Sequence, residues 1–163
     1  MPFDTTPPRP LLPGEHPLWD EALALVNRDL AATLPEQRPL RLLAHAPWAD
    51  GEPEQVYVCL ANGDSHGRPL WPDSATTLES AVSAVAEAAQ DTMMECLWRV
   101  WPVCPAHDLG MHVGGASDRP AWCCAGGRTP KDPAHARAAV GELDTLQRPH
   151  RPNRKRRDKD RRR

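Results

Sequence analysis

At 163 residues and a net charge of −2, the chain suits one hydrophobic core of ordinary size, and it has no apolar run long enough to cross a bilayer. The near-neutral total conceals a split: residues 148–163 hold ten of the twenty Lys and Arg against two acids, a charge of +8, which leaves residues 1–147 at −10. The folded part is therefore expected to repel nucleic acid and acidic membranes, and the tail to attract them.

The opening segment, MPFDTTPPRPLLPGEHP, carries six prolines and an acid near its start. A secretory signal has a basic end and an apolar centre instead, so the expected location is cytoplasmic. There the five cysteines stand as reduced thiols or metal ligands in place of a disulfide framework. Prolines remove backbone donors and favour extended conformations, so residues 1–16 are expected to form a disordered arm. Pro17 then suits the first turn of a helix, and Trp19, Leu23, Val26, Leu30 and Leu34 recur at helical spacing up to Pro35. Leu40 to Ala46 and Gln55 to Ala61 read as strands, the second with Val56, Val58 and Leu60 alternating against Tyr57 and Cys59. Asn62-Gly63-Asp64 turns the chain back through a return strand, Arg68 to Trp71, which Pro69 confines to an edge.

Thr76 and Glu79 form a capping-box pair, and Leu78, Val82, Val85, Ala89, Met93 and Cys96 continue a long helix to Arg99, with Pro102 ending it. Such a helix crosses the sheet and delivers its end to Cys104. Met111 to Val113 and Pro120 to Cys124 then form a second small hairpin. Lys131 to Leu146 is drawn as a helix, with a strand over Ala138 to Leu143 as the alternative. The sum is an α+β fold, a small antiparallel sheet packed by two helices. A zinc-knuckle-like hairpin module, residues 102–127, belongs to one domain over residues 17–146, and residues 147–163 follow as a disordered basic tail.

The chemistry gathers at Cys104-Pro-Ala-His107. A thiol and an imidazole two residues apart on a tight turn supply half of a tetrahedral zinc site, and Pro105 stiffens that turn. The second half is sought where the hairpin brings the chain back, at Cys123-Cys124. Neighbouring strand residues point to opposite faces, so one thiol is ligand and the other core. Cys124 is the better ligand, because Cys124-Ala-Gly-Gly127 has the small residues of a turn. Gly127 stands where a fourth ligand would complete the pattern, which leaves that role to His112, His135, Cys123 or water. The set taken forward is Cys104, His107, Cys124 and His135, with zinc as the expected ion. An enzymatic site on the same thiols would draw its general base from Asp108 or Glu95. The motifs GxxxxGK[ST], GxGxxG and HExxH are absent, and no His-x-Glu precedes the cysteines as in a zinc deaminase. His45 reads as a half-buried strand residue and His66 as a turn residue.

CPAH, then Pro-Ala-Trp-Cys-Cys some fifteen residues on, then Val140-Gly-Glu-Leu143, resembles small uncharacterised actinobacterial proteins that carry a CPxH knuckle after a long helix. It is also similar to half of a zinc ribbon. The resemblance implies a bound or ancestral zinc and carries no activity with it. The expected function is that of a non-enzymatic intracellular interaction or regulatory module, with nucleic acid or an acidic protein as partner of the tail and no membrane contact. The alternative is a small metal-dependent or thiol enzyme using Cys104, His107 and Cys124.

Overall fold

The computed structural model describes residues 6–115, 119–127 and 129–143; the basic tail assigned to 147–163 lies outside them. The fold mixes two helices with small antiparallel sheets. Helix α1 (Pro17–Thr33) starts with proline in its first turn and buries Trp19, Ala22, Val26, Asp29 and Leu30. Its last turn closes through the Leu34 amide on the Leu30 carbonyl, 2.7 Å, just before Pro35. The Asn27 amide group then grips the backbone of Leu40 from both sides, at 2.9 and 2.8 Å, and so aims the chain into the first sheet.

That sheet pairs β2 (Arg41–His45) with β3 (Gln55–Cys59), Leu43 opposite Tyr57. Leu42, Ala44, Val56 and Val58 are buried with Leu60, and Leu43 and Cys59 on the opposite face are covered too. The proline-rich arm departs from expectation, because Arg9 and Pro10 form a two-residue strand, β1, against Ala44 and Leu43. An edge position tolerates proline, and the Arg9 guanidinium fastens the arm by bridging Glu15 at 2.7 Å and Glu54 at 2.9 Å. The return segment shrinks to one bridge, Leu70 on Val56.

Helix α2 (Leu78–Leu97) is capped by Thr77, whose hydroxyl accepts the Ser80 amide, and not by Thr76, which donates to the Asp73 carbonyl. It stops before Arg99, because Trp98 adopts a left-handed conformation with φ of 52°. Its buried stripe is rich in alanine (Ala81, Ala86, Ala89), which brings the backbone of α1 close. No helix among the described residues is long and apolar enough to cross a membrane.

The rest of the chain is β. A two-stranded hairpin joins β4 (Val103–Cys104) to β5 (Leu109–Gly110), and a second sheet runs β6 (His112–Gly114), β7 (Ala121–Cys124), β8 (His135–Ala139). The helix drawn over Lys131 to Leu146 is therefore corrected to a strand. Alanine's helix preference is worth only tenths of a kcal/mol per residue, less than the backbone pairing and burial that β7 offers. One apolar cluster runs from Leu42 and Val58 through Val85 and Met93 to Trp101, Trp122 and Val140. Trp101 and Trp122 meet edge to face, 5.3 Å between ring centres.

Asp29 joins this cluster to the segment that follows β8. It is fully buried and accepts hydrogen bonds from Trp122 Nε1 (2.7 Å), the Gly141 amide (2.6 Å) and the Leu143 amide (2.9 Å). Gly141 is required for that approach. Its φ is +96°, and a Cβ there would stand 2.6 Å from Leu25 Cδ2.

Candidate metal centre

Four elements converge beyond the end of α2. Gln90 Nε2 donates to the carbonyls of Trp101 (3.2 Å) and Met111 (2.6 Å), holding the β4–β5 hairpin at both ends. Cys104 closes β4, and the Asp108 and His107 amides fold back onto its carbonyl at 2.8 and 3.3 Å, bringing the His107 ring over the Cys104 thiol. On the other side, Cys124 ends β7 directly opposite His135, the first residue of β8. Residues directly opposite on antiparallel strands share a face, so this thiol and this imidazole project together. The register shifts between Trp122 and Cys123, and Trp122 and Cys124 are both buried while Cys123 between them is half-buried.

The ligand atoms of Cys104, His107, Cys124 and His135 all lie within 4.8 Å of one another, close enough to hold a metal ion. Their edges can be tested. A tetrahedral ion with bonds of about 2.3 Å to sulfur and 2.0 Å to nitrogen demands sulfur–nitrogen edges of about 3.6 Å. His107 Nδ1 stands 3.6 Å from Cys104 Sγ and 3.5 Å from Cys124 Sγ, and His135 Nε2 stands 3.9 Å from Cys104 Sγ. These three edges match within a few tenths of an ångström. Each imidazole thus turns one nitrogen to the thiols, and each has an oxygen acceptor at its other nitrogen. His107 Nε2 meets Asp132 Oδ2 at 2.5 Å, and His135 Nδ1 meets the Pro133 carbonyl at 3.3 Å.

Burial opposes ionisation of Cys104, but its hydrogen bond to His107, the Ala106 and His107 amides and His135 outweigh that and hold the thiol down at about 6. The His107 imidazole is raised by Cys104 first and Asp132 second, against burial. At Cys124 the Gly126 amide favours the thiolate, yet burial and the neighbouring Cys104 and Asp132 charges prevail and push it up. In the metal-free fold, the Cys104 contribution to stability is complete above the ordinary thiol value of 9.0 and disappears as pH falls through about 6. The raised His107 works in the opposite sense, its contribution fading as pH rises past its folded value. Protons and a metal compete for the same lone pairs, so metal affinity is expected to fall by about tenfold per unit of acidification through the raised Cys124 thiol, and more steeply below about pH 6, where Cys104 is protonated as well. Chelator competition across about pH 5 to 8 measures it, and a flat profile contradicts the assignment.

The structure brings together Cys104, His107, Cys124 and His135. His112 pairs with Cys123 on the exposed side of the second sheet, and the Cys123 thiol lies against its own strand, donating to the Ala121 carbonyl. Asp108 takes a left-handed conformation with φ of 55°. Glu95 lines a groove along α2 with His66 and Trp71, a cavity of about 490 Å³ whose walls include none of the four ligands. His45 packs edge-on against Tyr57, and His66 is held by its amide on Thr92. Asp132 and the Pro133 carbonyl escaped the sequence reading, which drew both into a helix over Lys131 to Leu146. Comparison with protein-family models, with curated proteins and with solved structures gives no match.

Proposed function

We propose that this protein is a non-enzymatic interaction module whose C-terminal half is a zinc-knuckle-like unit, with the zinc serving structure and the basic tail serving partners inside the cell. The ligand geometry carries the reading. Two thiols and two imidazoles offer four ligand atoms within 4.8 Å of one another, the number a structural zinc takes, and a four-ligand protein site leaves no open position for a substrate or an activated water. Cysteine sulfur with imidazole favours zinc over the hard cations magnesium and calcium, which take oxygen ligands. The ion would join the β4–β5 hairpin to the β7–β8 ladder. The thiol-enzyme alternative has less support, because Cys104 and Cys124 are both fully buried.

The tail reading rests on charge alone. Ten bases in residues 148–163, with no aromatic side chain to stack on bases, suit contact with phosphates without sequence preference. Native mass spectrometry of untagged protein tests the first part, the expected mass being that of one zinc per chain. An apo mass with unchanged folding after chelation overturns it. For the tail, retention on DNA is expected to fall by about 10³-fold or more between about 50 and 200 mM salt if six or more phosphates are contacted, and to vanish when residues 148–163 are removed. Equal retention without those residues refutes the tail's role.

A further inference from the structure

The geometry points to Asp132 as the positioning residue that sets how tightly the centre holds its ion, by fixing His107 as an Nδ1 ligand; this rests on the zinc reading above. His107 Nδ1 faces both thiols, at 3.6 and 3.5 Å, while Asp132 Oδ2 meets Nε2 at 2.5 Å. The carboxylate is on the far side of the ring from the thiols and cannot itself be a ligand. Its effect is on the ring. A neutral imidazole that gives Nδ1 to a metal must carry its proton on Nε2, and an acceptor at Nε2 selects that tautomer, locks the ring plane and makes the ligand more basic.

The loop between β7 and β8 is shaped to deliver this group. A Cβ at Gly127 would overlap Asp132 Oδ2, and one at Gly126, whose φ is +78°, would overlap the Pro133 carbonyl. The two glycines thus leave room for Asp132 beside His107 and for the Pro133 carbonyl that accepts from His135 Nδ1 at 3.3 Å. The Gly126 amide adds a hydrogen bond to Cys124 Sγ, 3.4 Å. Gly127, at the position where a fourth cysteine was sought, serves the site by having no side chain.

The test uses the full-length chain and zinc alone, in competition with a chromophoric chelator. Asp132→Ala is expected to weaken zinc binding by about 10- to 100-fold. Asp132→Asn, which keeps an oxygen acceptor, should lose less than about tenfold. Gly127→Ala leaves the carboxylate in the chain but displaces it, and should approach the alanine variant. A purely architectural role would lower thermal stability without moving the tautomer, so imidazole nitrogen NMR of the zinc-loaded proteins supplies the second readout. The wild type should show His107 metallated at Nδ1 and protonated at Nε2, and Asp132→Ala should lose that pattern. Affinity of Asp132→Ala within about twofold of wild type, or an unchanged His107 tautomer, overturns the inference. Failure of the wild type itself to bind zinc defeats the zinc reading instead, and is recognised separately. Should Asp132→Ala not fold, Asp132→Asn and Gly127→Ala carry the comparison.

Discussion

Cys104→Ser is expected to abolish zinc retention and to lower stability by about 4 kcal/mol or more when free zinc stands about a thousandfold above the wild-type dissociation constant. Serine keeps the volume of the buried side chain but offers a hydroxyl that stays protonated, so the tetrahedron loses a corner and gains no anionic substitute. Chelation should cost the wild type the same amount and leave the variant unaffected, since nothing remains to remove. Cys123→Ser is the matched control. Its thiol lies against Ala121 and away from the cluster, so zinc content should not change. Denaturant titrations with and without chelator give the four values, and one zinc per chain in Cys104→Ser would refute the centre as described.

Asp29→Leu is expected to destabilise the fold by about 4 kcal/mol or more, although the substitution puts an apolar residue into an apolar core. The carboxylate satisfies the Trp122 indole and the Gly141 and Leu143 amides. Leucine accepts from none of them, and each buried donor left without an acceptor costs about 1–3 kcal/mol. Asp29→Asn should fall between, because its carbonyl still accepts but its amide group opposes a donor. The Trp122 indole proton should move in the NMR spectrum of both. A loss below about 1 kcal/mol in Asp29→Leu would show that these bonds are replaced by others.

Much of the architecture was legible because apolar spacing and breaking residues agreed. Trp19, Val26 and Leu30 repeat on one side of α1, Val56 and Val58 alternate in β3, and Pro17 and Pro35 punctuate the first helix. Strand β8 was legible only in part, as the alternative strand over Ala138 to Leu143. His135-Ala-Arg-Ala-Ala has neither alternation nor β-branched residues, and only pairing with β7, distant in sequence, makes it a strand. The centre followed the same rule. The Cys104–His107 spacing is local and readable, and strand geometry separated Cys124 from Cys123. His135 was one of several choices until the β7–β8 register placed it opposite Cys124. Asp29 left a signal that went unused, an acid three residues after Val26 on the buried stripe. Asp132 left none, since its meaning depends on a ring that arrives from 25 residues away.

The Asp29 bonds to Gly141 and Leu143 span 112 and 114 residues, and this fixes an order on synthesis. Helix α1 leaves the ribosome with a carboxylate aimed at an interior that does not yet exist, and water must solvate it until residues 141–143 emerge. A nascent chain halted before Gly141 can form local helix but would bury that carboxylate without two of its backbone donors. Completion of this part of the core therefore waits for residues 141–143, and a chain terminated a few residues short of them lacks two of the donors that satisfy Asp29.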